Sequence, residues 1–159
     1  MAAGPALPEN SLVLDNDIFN AWRYGRDQRV LRAIANYQSR IKLFPFLTSM
    51  TVYQALYGFE NKSIKPDEPN EQTRQARIRT EQLIQACGDT LPFNQRAAEI
   101  SAYIVPRLSK NIPKGTLVDV FIAATALAHG YGVATRNRKD FELIASHTPN
   151  DLTLRLAVW

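Results

Sequence analysis

Leu12-Val13-Leu14-Asp15, preceded by Ser11 and followed by Asn16-Asp17, is the stretch whose reading decides the fold. Its apolar residues follow one another without polar alternation, the pattern of a strand covered on both faces, as in parallel sheets. It is read as the first and central strand, ended abruptly by a carboxylate. Working outward, Val30, Leu31, Ile34 and Tyr37 recur at helical spacing after Asp27, with Arg29, Arg32 and Asn36 on other faces, until Gln38-Ser39-Arg40 ends the helix. Leu43-Phe44-Pro45-Phe46-Leu47 reads as a second strand, with Pro45 tolerated near its start or at an edge. Thr48 and Ser49 are candidate caps for a helix from about Met50 to Asn61, and Pro66 and Pro69 make Lys62 to Asn70 a loop or hinge.

Further along, Glu71 to Ala86 reads as a helix with Ile78, Leu83 and Ile84 inward and Gly88 beyond its end. Thr90-Leu91-Pro92-Phe93 is a short strand or turn, and Asn94 caps a helix to about Ser109 that Pro106 bends. Gly115 and Thr116 precede a helix from Leu117 to His129 that is apolar nearly all round, hence buried, and Gly130 stops it. Tyr131 to Thr135 is the next strand, Lys139 to Ala145 a short helix, and Leu152 to Trp159 a closing strand. Strands alternating with helices predict an α/β domain with a mostly parallel sheet, and such sheets form sites at the carboxyl ends of their strands.

The 159 residues fit one domain, read as 11–159 after a flexible leader at 1–10. The leader lacks a basic start followed by a long apolar run, so it reads as neither signal peptide nor anchor, and no membrane association is expected. Hydrophobic residues make up 45% and charged residues 21%, the balance of an ordinary globule. A net charge of +4 and a pI near 9.4 favour anionic partners. The lone Cys87 excludes an internal disulfide and a Cys-rich zinc site, in keeping with the reducing cytoplasm. There is no internal repeat or low-complexity tract.

Asp15 ends the first strand, Asp119 opens Asp119-Val120-Phe121-Ile122, and Asp140 closes Thr135-Arg136-Asn137-Arg138-Lys139-Asp140. An α/β fold can bring these acids to one sheet edge, where they repel one another unless a cation intervenes, so the pattern implies a hard divalent metal. Metal-assisted phosphodiester chemistry is the leading hypothesis.

Leu14-Asp15-Asn16-Asp17, Tyr53-Gln54-Ala55-Leu56-Tyr57-Gly58, Asp119 to Ala126, and Thr135 to Phe141 together resemble the PIN-domain nucleases, and within them the VapC-type toxins of toxin–antitoxin pairs. The resemblance implies a three-layer sandwich around a five-stranded, mostly parallel sheet. It also implies Mg²⁺ or Mn²⁺, cleavage of RNA such as tRNA, a homodimer, and silencing by a cognate antitoxin whose C-terminal segment lies over the acidic groove. Carried over by motif, Asp15, Asp119 and Asp140 are the catalytic acids and metal ligands, with Thr135 and Asn137 supporting them. Gln54 stands in the catalytic set where the family has Glu. Its amide keeps an oxygen but loses a charge and cannot act as a base, which predicts weaker metal binding. Asp17 is the candidate substitute, whereas Glu60 is about 240° further round a helix and points away.

Blander readings stand beside these. Any one aspartate alone is more often a cap or turn residue. Arg136, Arg138 and Lys139 flank the last motif and are candidate RNA contacts, while Arg23, Arg26, Arg29, Arg32, Arg74, Arg77 and Arg79 read first as solvated helix faces. His129 and His147 lack metal-ligand spacing, and Tyr53 and Tyr57 are expected to pack. The apolar faces at Val30 to Tyr37 and Ile78 to Ile84 serve either core packing or docking. The rival function is a non-catalytic PIN-fold module that binds RNA or protein. A phosphate-accepting signalling domain ranks low, because Thr48-Ser49-Met50-Thr51 offers no acceptor aspartate.

Overall fold

The computed structural model describes residues 11–67, 69–108 and 112–159, so the expected leader and the expected helix end at Ser109 lie outside the described residues. In chain order the elements are β1 (Leu12–Leu14), α1 (Asn16–Tyr24), α2 (Gln28–Ile41), α3 (Ser49–Ser63), α4 (Glu71–Ala86), α5 (Gln95–Ile104), α6 (Lys114–His129), β2 (Gly132–Thr135), α7 (Arg138–Ala145) and β3 (Leu156–Val158). A single 3₁₀ turn, Val105–Arg107, follows α5 at Pro106. No helix among the described residues is long and apolar enough to cross a membrane.

The three strands are parallel in the order β1-β2-β3, with Leu12 opposite Gly132 and Ala134 opposite Ala157. Two single bridges continue the sheet beyond β1: Phe46 pairs with Val13, and Thr48 with Leu91, both in parallel sense. The expected five strands are therefore three strands and two bridges, and β1 lies in the middle of that series. Phe46 exchanges both of its backbone hydrogen bonds with β1, but Pro45 has no N–H and Thr48 already caps α3, so the ladder stops there. Leu91 is confined in the same way by Pro92. The closing strand shrinks to Leu156–Val158.

Side-chain alternation divides the core in two. Val13 and Val133 face a cluster built on α5, α6 and α7, where Ile100, Ile104, Ile122, Phe141 and Ile144 are buried. Leu12, Leu14 and Ala134 face a second cluster with Ile18, Phe19, Val30, Ile34 and Tyr37. The apolar stripe of α2 is thus core, not a docking face. Gly132 is the tight point between the strands: a Cβ there would meet the Arg155 carbonyl and a Leu12 methyl, each at 2.9 Å.

Polar caps fix the helices in place. Asp15, Asp27, Thr48, Asn70 and Asn94 each accept a backbone N–H in the first turn of the helix that follows, and Gly25 and Gly130 end α1 and α6 in the left-handed conformation. Several boundaries move: α3 runs on to Ser63, α7 begins at Arg138, and α6 begins at Lys114, so Asp119 lies in its second turn and does not open it. Leu83 and Ile84 pack on the second cluster as expected, but Ile78, also expected to face inward, is 52% exposed, and α4 buries Thr73 and Thr80 as well. Tyr53 and Tyr57 pack on each other, with ring centroids 5.7 Å apart, yet both are more than half exposed. Cys87, at the C-terminal end of α4, is buried in the second cluster, and burial pushes its thiol up to about 12.

Candidate metal centre

The site grows from the carboxyl end of β1. Asp15 is 3% exposed; its Oδ1 accepts the Ile18 N–H at 2.8 Å, and its Oδ2 accepts the Thr135 hydroxyl at the end of β2. Thr135 Oγ1 in turn accepts the Asn137 N–H at 2.8 Å, and Asn137 Nδ2 donates to Asp140 Oδ2 at 2.7 Å. One hydrogen-bonded chain thus joins Asp15, Thr135, Asn137 and Asp140, which the sequence had placed 125 residues apart at its extremes.

From the other side, Thr51 in the first turn of α3 donates its hydroxyl to the Leu14 carbonyl at 3.0 Å. That bond fixes α3 against the end of β1 and brings Gln54, one turn later, to the site. Asp119 arrives from α6 and is partly buried. Asp15, Asp17, Gln54, Asp119 and Asn137, with Asn16 and Gly115, line a cleft of about 190 Å³. Asp17 is exposed. Asp140 does not line the cleft; it stands beyond Asn137 and acts on Asp119 through its charge.

The electrostatics are those of crowded, dehydrated acids. Burial pushes Asp15 up to about 6, against the hydrogen bonds from Thr135 and Ile18 that pull it down. Asp119 is pushed up to about 7, by burial first and then by the charges of Asp15, Asp140 and Asp17. Among the described residues, however, no three acidic, His or Cys side chains stand close enough together to hold an ion as they are. The donors on the cleft wall are carboxylates together with amides, and two amide oxygens, Gln54 Oε1 and Asn16 Oδ1, are buried without any hydrogen-bond partner. Orphaned buried oxygens beside dehydrated carboxylates are costly unless something electropositive is added, and all of these donors are hard oxygens, so the set fits Mg²⁺ or Mn²⁺. Asn16 was missed at the level of sequence; its signal was only its place between Asp15 and Asp17.

Two of the three flanking cations are already engaged. Arg136 pairs with Asp27 at 2.9 Å and Arg138 with Glu142, while Lys139 is exposed. Glu60 points away as expected and binds Arg77 at 2.7 Å. His129 hydrogen-bonds the Pro92 carbonyl, and His147 lies against Leu143 and Ser146.

This assembly of a parallel sheet with an acidic cleft at its carboxyl edge coincides with a family match: residues 12–146 fit the PIN domain, and the chain belongs to that family. A VapC ribonuclease, Y4jK of Sinorhizobium fredii, is 29% identical over 132 residues, which cover 82% of this chain and 90% of that protein. Among solved structures, a chain of DNA-bound VapBC from Salmonella typhimurium matches with a TM-score of 0.70 at 18% identity, covering 95% of this chain and 99% of its own. VapBC2 from Rickettsia felis bound to a promoter DNA fragment gives 0.68 at 15% identity, with coverage of 93% and 98%. FitAcB from Neisseria gonorrhoeae gives 0.61 at 26% identity, with coverage of 84% and 92%.

Proposed function

We propose that this protein is a VapC-type toxin, a divalent-metal-dependent endoribonuclease held inert by a cognate antitoxin. The observation that carries the reading is the cleft in which Asp15, Asp119 and the orphaned Gln54 oxygen share one small, dehydrated space. Family membership and the likeness to a VapC ribonuclease and to VapBC structures support it.

On this reading Asp15 and Asp119 hold Mg²⁺ or Mn²⁺, with Gln54 and its neutral oxygen as the weakest contributor. Thr135 keeps Asp15 in one rotamer, and Asn137 keeps Asp140 near enough to add negative charge without entering the cleft. Asp17, at the exposed mouth, supplies the charge that Gln54 lacks. When bound, a divalent ion would acidify a water and offset charge on the scissile phosphate. Arg136, Arg138 and Lys139 contact the RNA, tRNA being one candidate, once their surface ion pairs exchange for phosphate. The toxin acts as a homodimer in the cytoplasm.

Gln54 favours one alternative, a PIN-fold module that binds RNA or protein without cutting. Incubating total RNA with the protein, with and without Mg²⁺, decides between them. Cleavage that needs metal and is lost in Asp15→Asn supports the toxin. No cleavage by either the wild type or Gln54→Glu, with RNA still bound, supports the module.

A further inference from the structure

A second concentration of charge, opposite in sign, lies at the far end of α1. A depression of about 250 Å³ between the last turn of α1 and one face of α4 is lined by Arg23, Arg26 and Arg79, with Tyr24, Gln72 and Thr80, and by no carboxylate. Surface arginines usually find acids, as Arg77 does on α4 with Glu60 and Glu81. These three do not. Tyr24 gathers two of them: the Arg23 guanidinium lies 4.7 Å and that of Arg26 5.2 Å from its ring centroid. An aromatic face attracts a cation without neutralising it, so the ring draws like charges together and leaves them positive.

Arg23 is the most revealing of the three. It is half-buried, its Nη1 donates to the Ala55 carbonyl at 3.2 Å and to Thr80 Oγ1 at 3.4 Å, yet its Nε is buried with no hydrogen-bond partner. A buried guanidinium N–H without an acceptor is costly, and it sits where two further guanidiniums converge.

We propose that this depression binds phosphates of an RNA strand, with Arg23, Arg26 and Arg79 as donors, a reading that rests on the ribonuclease function. Continuity argues for RNA over an acidic polypeptide. Tyr24 and Arg26 also line an adjoining depression of about 410 Å³ that reaches Asn20, Arg29 and Arg136, where one carboxylate, Asp27, is held in an ion pair by Arg136. Arg136 follows Thr135, whose hydroxyl is bonded to Asp15. A strand whose scissile phosphate lies at the acidic cleft could therefore run past Arg136 to the arginine depression. The planar forks match phosphate, and the apolar part of the wall is limited to Ala76 and the Tyr24 ring, which the Arg23 and Arg26 guanidiniums already flank.

The test uses the full chain and a short fluorescein-labelled single-stranded RNA with EDTA present, so that nothing is cut, and reads anisotropy across a salt titration. Arg26→Ala/Arg79→Ala changes only exposed side chains, and an unchanged melting temperature will show that the fold survives; Arg79→Gln is a milder second variant. The double variant should bind RNA on the order of tenfold more weakly, with a log–log salt slope flatter by about 1.4. Arg77→Ala should bind as the wild type does. An unchanged affinity and slope in the double variant would overturn the proposal, as would retained RNA binding together with lost binding to polyglutamate, which would mark the surface for an acidic protein. Adding Mg²⁺ separates the two readings: RNA binding that depends on these arginines without cleavage removes the nuclease and keeps the phosphate site, whereas cleavage by a double variant of undiminished RNA affinity does the reverse.

Discussion

Helix α1 carries the acidic cleft at one end and the arginine depression at the other, and the two are built on opposite physical terms. At its N-terminus Asp15 is the cap and Asp17 lies in the first turn; at its C-terminus Arg23 occupies the last turn and Arg26 follows. Each sign of charge therefore sits at the end of the helix dipole that favours it. There the likeness ends. Asp15 and its neighbour Asp119 on α6 are dehydrated, and burial together with nearby negative charge pushes both toward the neutral form. The guanidiniums are spread over aromatic rings and stay charged. One end needs a cation to be comfortable when ionised, while the other is already positive and lacks only an anion.

The sharpest way to break this comparison is Asp15→Asn, which removes charge at the acidic end alone. Metal-dependent RNA cleavage should fall by on the order of a hundredfold or more, while EDTA-treated protein should bind RNA as before. Next comes Gln54→Glu, which should tighten Mn²⁺ binding by about tenfold in calorimetry by restoring one carboxylate to the cleft. A smaller effect follows from the sign of the acid shifts. Asp15 at about 6 and Asp119 at about 7 lie above the ordinary 3.8, so metal-free protein escapes the cost of ionising them below about pH 4 and loses stability as pH rises through 6 and 7. Asp119→Asn should flatten that decline and stabilise the metal-free protein at pH 8 by about 1 kcal/mol, a few degrees in Tm. The smallest effect belongs to the basic end: Arg79→Ala should leave stability within about 0.5 kcal/mol, since its side chain is exposed. A large loss there would mean that the arginines are structural and the symmetry of the comparison false.

How much of this was legible in the sequence depends on whether local chemistry or distant packing sets the outcome. β1 was readable because a strand covered on both faces needs an uninterrupted apolar run, and the helix ends were readable because Asp27, Thr48, Asn94 and Gly130 act on their own first or last turns. The second and third sheet segments were overextended, since apolar composition does not reveal that prolines beside Phe46 and Leu91 limit each of these residues to one bridge. α4 was read correctly at Leu83 and Ile84, which pack on the second cluster, but not at Ile78: its remaining inward positions are Thr73 and Thr80, and the latter receives Arg23 from another helix, which hydrophobic periodicity does not register. At the site, motif order brought forward Asp15, Gln54, Asp119 and Asn137, all of which reach the cleft. It did not separate Asp140, whose hydrogen bond with Asn137 holds it outside, or reveal Asn16, whose exposed neighbour gives no hint that its own oxygen is buried.

Cys87 gives the molecule an internal reporter. Nearly buried beside α4 and kept protonated, the single thiol of the sequence meets a thiol reagent far more readily when that part of the chain opens. Its labelling rate therefore times local opening in a protein that needs no engineered cysteine, and ligands that quieten the neighbouring helices will slow that reaction.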